Sequence, residues 1–444
     1  MSADHQPLAR RLTAVWQRSD QLFALLADGA LMQRPIALRH PFLFYLGHLP
    51  AFAWNQLGAG ALGRPPVDPH FDSLFERGID PLDEASAADA SIQAERWPAV
   101  GAVLAYRDRV RAALLEALPE VAARSDSPLL ERERVVEVVA EHEEMHHETL
   151  AYMVQRLDLR WLVAPPGSSP PPAPGGEATP ERVRVPAGVA RLGADWEEQR
   201  FGWDNEFPAV KQPVDAFGID ALPVTVARFR AFVQDGGYRR ADLWSPDAWA
   251  WRERAGLEAP IDWRDTAEGW RCRWLLGELP LEEVGAWPVR VSHAEASAFA
   301  RWSGARLPTE AELHRAAFGR PDGGINPHPW GEEPPSTERG NADWQRMHPV
   351  AVGSRPAGAS AWGVHELVGN GWEWSDSIFD ERPGFRAWMP DYPGYSADFF
   401  DGRHRVVFGG SWATATGLLR RSFRNWYQGH YPYVFAGFRL VAEP

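Results

Sequence analysis

The chain has 444 residues, 45% of them hydrophobic and 24% charged, an ordinary soluble composition with room for two or three separate cores. Its net charge of −14 argues against a nucleic-acid partner, because a phosphate backbone requires a basic surface, and no run of about 18 apolar residues offers a membrane span. The single cysteine, Cys272, excludes an intrachain disulfide; with an N-terminus that lacks the apolar stretch of a secretory signal, the expected location is the cytoplasm.

The first part of the chain reads as helical. One helix is expected over Ala9–Ala27. A second covers PFLFYLGHLPAFAWNQL (41–57), with Pro50 bending or starting it. The third is AVLAYRDRVRAALLEAL (102–118). The fourth is ERERVVEVVAEHEEMHHETLAYMVQRL (131–157), for which Ser127 is a suitable N-cap and Pro128 a suitable first residue. Four such segments within residues 1–161 predict a four-helix bundle. Residues 162–183, rich in Pro, Gly, Ser and Ala, read as an exposed linker. From 184 to 444 short apolar pieces alternate with Gly, Pro, Asp and Trp, and SHAEASAFARWSG (292–304) is the one clear helix, which predicts an α+β domain with much irregular structure.

The fourth helix carries an apolar stripe, Val135, Val138, Val139, His142, His146, Leu150 and Met153. Steps of three and four put His142 and His146 one turn apart on one face, the reach two imidazoles need to share a metal ion. Glu143, Glu144, His147 and Glu148 fall largely off that stripe, so His147 is expected to face solvent rather than to be a ligand. His142, Glu143 and His146 also match the H-E-x-x-H pattern of zinc peptidases, but Thr149 and Tyr152 stand where a metzincin has Gly and His, and no Glu follows before Glu177. A third ligand is available upstream, His48, set in the apolar run FLFYLGHLPAF. Three imidazoles with open positions suit a catalytic Fe, Zn, Cu or Ni ion. The plainer alternative is a set of hydrogen-bonded core histidines.

The spacing of His48 from HEEMH resembles the DinB-like bundle of the ergothioneine-type sulfoxide synthases, and the second half resembles their formylglycine-generating-enzyme-like (C-type-lectin-like) domain. The segments that carry the likeness are ARWSGARLPTEAELHRAAFG (300–319), HPWGEEPP (328–335), GVHELVGNGWEWSDS (363–377), VVFGGSWAT (406–414) and FAGFRLV (435–441). The resemblance implies a DinB-like four-helix bundle followed by that α+β domain, and a mononuclear non-haem Fe(II) enzyme that uses O2 to join sulfur or a congener to the imidazole carbon of hercynine. It implies His48, His142 and His146 as iron ligands. The family's tyrosine pair maps onto Tyr392 and Tyr395 in DYPGYSADFF, with Tyr392 as proton donor, and its R-N-W segment maps onto Arg424, Asn425 and Trp426 as substrate contacts. Aromatic faces suit a trimethylammonium group, and Tyr106 and Trp426 are candidates for that cage, with core packing the alternative for Tyr106. Trp372 and Trp374 are expected to be structural. Formylglycine-generating chemistry itself is argued against by the lone Cys272.

Three positions depart from the γ-glutamylcysteine-using members. Tyr427 follows R-N-W where an Asp is frequent, only Arg96 remains of the arginines expected before the third helix, and Met145 stands where Gln is frequent before the second helical histidine. Loss of charged anchors favours a neutral, hydroxyl-rich co-substrate. RHPFLFYLGHLPAFAWN and FRNWYQGHYPYVFAGFR are most similar to the selenoneine synthase branch, which couples a selenosugar to hercynine. A thiol-using ergothioneine-type enzyme, an ovothiol-type enzyme acting on histidine, and a non-catalytic binding module are the alternatives. His430, Tyr431 and Tyr433 are possible sugar contacts.

Overall fold

The computed structural model describes residues 5–76, 97–165, 181–389, 392 and 394–442; Arg96 and residues 166–180 of the expected linker lie outside the described residues. The chain divides into two compact units, Met1–Ser168 with Trp388–Tyr392, and Ser169–Ala387 with Pro393–Pro444.

Four long helices build the first unit. In α1 (Gln6–Phe23) the buried residues Leu8, Leu12, Val15, Trp16, Ser19 and Leu22 fall on one stripe. The helix starts and stops earlier than the expected Ala9–Ala27, because Pro7 opens it and Ala24 already caps its last turn. Every residue of α2 (Phe42–Trp54) is buried. It runs through Pro50 as an α-helix and continues as a π-helical stretch, Asn55–Ala61. Packing on all sides outweighs the hydrogen bond that the proline removes. After the short α3 (Pro69–Leu74), capped by Asp68, α4 (Val100–Ala123) buries Val103, Tyr106, Val110, Leu114, Leu118 and Val121.

The fourth long helix, α5, spans Arg134–Arg156. It does not begin at Ser127 and Pro128. Ser127 Oγ accepts from the Leu130 amide at 3.3 Å and caps only a separate turn. Arg132 and Glu133 then take left-handed conformations (φ 55° and 51°), which break the helix before Arg134. Neither is Gly or Asn, so residue type carries no sign of the break. Leu162 bridges to Leu26, and Arg182 and Val183 open the first strand, so the outer residues of the expected linker carry regular structure.

The second unit is a mixed α+β body. Its strands are β1 (Arg182–Val185), β2 (Gly188–Leu192), β3 (Val210–Val214), β4 (Phe217–Asp220), β5 (Trp263–Arg264), β6 (Arg271–Trp274), β7 (Gly277–Pro280), β8 (Trp372–Ile378), β9 (His404–Phe408), β10 (Asn425–Gln428), β11 (Ala436–Gly437) and β12 (Val441–Ala442). They form the sheets β1-β4-β12, β10-β9-β8-β11, β2-β3 and β5-β6-β7. Helices α6 (Val226–Gln234), α7 (Pro246–Ala255), α8 (His293–Trp302), α9 (Glu310–Phe318) and α10 (Gly394–Ala397) pack among them. Ser292 with Glu295 caps α8 and Thr309 with Glu312 caps α9, each as a reciprocal capping box. The fully buried Arg439 donates to both oxygens of buried Glu373 (2.6 and 2.5 Å) and to the backbone carbonyls of Asp220, Ala221 and His365. A single side chain thus ties the C-terminal segment to β8 and to the end of β4. Trp374 is fully buried and its indole N–H donates to the Val291 carbonyl at 2.8 Å; Trp372 is buried against Phe423.

Candidate metal centre

His48 on α2 faces His142 and His146 on α5, and the three ligating nitrogens lie within 4.8 Å of one another. Ring centroids are 5.1 Å apart for His48–His142, 5.1 Å for His48–His146 and 4.4 Å for His142–His146. Two of the rings are oriented by backbone carbonyls. His48 Nδ1 donates to the Phe75 carbonyl at 2.8 Å, and His146 Nδ1 donates to the His142 carbonyl at 3.0 Å. A carbonyl can only accept, so each Nδ1 carries the hydrogen and each Nε2 presents its lone pair, the arrangement typical of ligating histidines.

Burial keeps the imidazoles neutral. It depresses His142 well below its ordinary range, helped by the charges His146 and His48 would carry, and holds His146 down to about 4 against the opposing pull of the His142 carbonyl. A neutral imidazole is the form that binds a metal. The buried Nδ1 of His142 has no hydrogen-bond partner among the described residues. An unpartnered polar atom beside two carbonyl-oriented imidazoles is costly unless a shared ion compensates, so the donor set fits a divalent transition metal with open positions.

Aromatic rings wall the trio. Phe52 stacks on His142 at 3.5 Å, Phe44 stacks on His48 at 5.2 Å, and Tyr45 lies 5.8 Å from His146. Tyr392, from the segment that groups with this unit, stands edge-on to Phe52 at 5.7 Å. Phe44, Tyr45 and Phe52 precede or follow His48 by three or four residues, so helical spacing could have pointed to them once His48 was suspected.

The remaining expected site residues divide between the two units. Tyr106 is fully buried, and its hydroxyl donates to Asp72 Oδ1 at 2.6 Å between Phe71 and Phe75, so it occupies the core rather than a cation cage. Met145 is half-buried on α5. In the second unit Tyr395 stacks on Trp203 at 4.1 Å, while Trp426 stacks on Phe379 at 3.9 Å and meets Tyr395 at 5.5 Å. Arg424 is buried and pairs with both oxygens of Glu310 (3.0 and 3.1 Å). That makes Arg424 a structural support for β10, where Asn425, Trp426 and Tyr427 pair with Val407, Val406 and Arg405. The Tyr427 ring lies parallel to that of Tyr431 at 5.6 Å, and Tyr431 meets Tyr433 at 5.0 Å.

His147 does not face solvent. It is buried, as are Glu143, Glu144 and Glu148, because α1 covers that side of α5. Arg11 on α1 donates to both oxygens of Glu144 (2.5 and 2.8 Å) and to Glu137 at 3.1 Å. The Glu143 carboxylate accepts from Ser19 on α1, so the residue that a zinc peptidase would use as base is committed elsewhere.

The DinB superfamily matches residues 11–150, and the Sulfatase-modifying factor enzyme 1-like domain matches residues 168–444. A helical unit bearing a three-histidine face and an α+β unit of the sulfatase-modifying type thus share one chain. The chain belongs to the hercynine oxygenase family: it is 36% identical to the "Hercynine oxygenase" of Mycolicibacterium thermoresistibile across 98% of this chain and 94% of that protein. It is 40% identical to the "Hercynine oxygenase" of Mycobacterium tuberculosis across 76% of each chain. It is 29% identical to "Ergothioneine biosynthesis protein 1" of Neurospora crassa across 97% of this chain and 57% of that one.

Proposed function

We propose that this protein is an Fe(II)- and O2-dependent enzyme that joins the selenium of a selenosugar to the imidazole carbon of hercynine. The observation that carries the metal chemistry is the histidine trio, with two rings held by carbonyls and an orphaned nitrogen on the third. Family membership supports hercynine as the organic substrate. For selenium, the support is Tyr427, an uncharged ring where a carboxylate would hold a substrate amine.

The overall change breaks one imidazole C–H and one Se–H bond and forms C–Se. One O2 oxygen goes to selenium and the other leaves as water with both hydrogens. A bound Fe(II) would supply the electrons that make O2 reactive. The protein's own contributions are orientation and proton control. His48, His142 and His146 hold the ion and leave open positions for substrates. Phe44 and Phe52 exclude water from the trio's flanks. Tyr392, one ring removed from His142, holds a proton on a neutral phenol and delivers it without bringing a charge into the site. Asn425 and Trp426 bind hercynine by resemblance to the family's R-N-W segment, and Arg424 orients their strand through Glu310.

A second reading, with γ-glutamylcysteine or cysteine as donor, draws on the relatives named for ergothioneine biosynthesis. The deciding experiment is anaerobic reconstitution with Fe(II), then hercynine and air, with 1-selenoglucose in one tube and γ-glutamylcysteine in another. A hercynine–selenium adduct in the first tube alone, identified by mass, supports the selenosugar reading; a sulfoxide in the second overturns it. Absence of O2 uptake in both would leave a binding module.

A further inference from the structure

Each ligand of α5 has a polar neighbour one residue on, Glu143 after His142 and His147 after His146, about 100° around the helix from it. There they meet one residue of α1. The Ser19 hydroxyl donates to Glu143 Oε1 and, with its one hydrogen committed, accepts from His147 Nε2 at 2.8 Å. All three are buried, Ser19 to 1%, Glu143 to 3% and His147 to 2% exposure. A buried carboxyl and a buried imidazole both lose solvation unless they are bonded, so Ser19 satisfies two groups at once.

The geometry makes this more than a packing contact. Glu143 and His147 are four residues apart, as are His142 and His146, so the two pairs form parallel rows around α5 about 100° apart. A rotation of α5 about its axis that swings the ligand row off His48 also pulls Glu143 and His147 off Ser19. Hydrophobic contacts along α1 are non-directional and tolerate such rotation; hydrogen bonds do not. We propose that Ser19, Glu143 and His147 are a positioning clamp that sets the rotation of α5 and thereby the spacing of His142 and His146 from His48. None of the three belongs to the trio itself, and the clamp carries no part of the H-E-x-x-H chemistry that its Glu143 suggests.

The test reads metal geometry in the full-length chain. Co(II) is titrated into the metal-free protein, with affinity and the visible absorption bands as readouts beside the melting temperature. Ser19→Ala and His147→Gln are expected to weaken Co(II) binding about tenfold, as loss of a ligand-orienting bond does, and to shift the bands. Ser19→Thr keeps the hydroxyl, and a cavity of about 10 Å³ that Ser19 lines gives its methyl some relief, so it should restore both. Leu12→Ala, at a fully buried position of the same helix, should lower the melting temperature with unchanged bands. Wild-type affinity and bands in Ser19→Ala, or in His147→Gln should the serine variant not fold, overturn the clamp. So does an equal shift in Leu12→Ala, which would show general loosening.

Discussion

His48 Nδ1 and the carbonyl oxygen of Phe75 are joined by a 2.8 Å hydrogen bond, although 27 residues separate them. Gly47 makes the approach possible, since a Cβ at that position would meet the Phe75 ring at 2.5 Å. Gly47→Ala must push Phe75 away and with it the carbonyl that orients His48. We expect a stability loss of about 1–3 kcal/mol, typical of overpacking, together with weaker metal binding. Thermal melting and Co(II) titration measure the two; an alanine variant with both unchanged would contradict the coupling.

Removing one imidazole should remove the metal. His48→Ala, His142→Ala and His146→Ala are each expected to copurify with far less iron than the wild type and to give no coupled product. Elemental analysis after Fe(II) reconstitution and desalting checks this. Full iron occupancy in any one variant would place the ion elsewhere.

Tyr392 and Tyr395 should separate in kinetics. Tyr392→Phe is expected to slow coupling by about 10²-fold or more while hercynine binding holds, the signature of a lost proton donor. Tyr395 is stacked on Trp203 and Trp426 packs against its ring, a contact that Phe preserves, so Tyr395→Phe should stay within about tenfold of wild type. Single-turnover rates and hercynine Kd for both variants decide it, and the reverse ranking would transfer the role to Tyr395.

Stability should fall in acid through Glu310. Burial alone would raise its carboxyl, but the guanidinium groups of Arg424 and Arg382 overcome this and hold it at about 2, below the ordinary 4.5. A depressed acid stabilises the fold above its unfolded value, and that contribution is lost as pH falls from about 4.5 through about 2. The interval corresponds to about 3 kcal/mol. Glu310→Gln should therefore be less stable than wild type at neutral pH by about 3–5 kcal/mol, because Arg382 and Arg424 stay buried, and the gap should close at low pH. Urea unfolding at a series of pH values tests this; a gap independent of pH would remove Glu310 as its source.

Donor choice should respond to Tyr427. Tyr427→Asp restores a carboxylate able to hold a substrate amine, so the ratio of γ-glutamylcysteine product to selenosugar product should rise. Competition of the two donors in one tube, read by mass, gives the ratio. An unmoved ratio would show that donor choice is set elsewhere.

The sequence by itself determined the long helices, the change in texture between the two parts of the chain, and the three histidines that the fold brings together. Periodicity of three and four marks a helix stripe wherever one face is buried, and His142 and His146 sat on such a stripe. His48 was legible because an imidazole in a wholly apolar run needs a partner, and the fold sets it beside His142 and His146. The helix expected over 292–304 is present, capped by Ser292 with Glu295, whereas the helix that Thr309 with Glu312 caps was not expected, although its box is just as local in sequence. What the tertiary structure decided is everything that depends on a second helix covering the first. The stripe on α5 reads as one-sided, yet α1 brings Arg11 and Ser19 to the other side, so Glu143, Glu144 and His147 are buried by partners more than a hundred residues away. Periodicity reports apolar faces, and a face buried through hydrogen bonds and ion pairs looks the same as a solvated one. For the same reason Tyr106 and Arg424 carried binding roles in the sequence but meet Asp72 and Glu310 in the fold. The break at Arg132 and Glu133 was likewise not legible, since both are ordinary residues in a conformation their side chains disfavour.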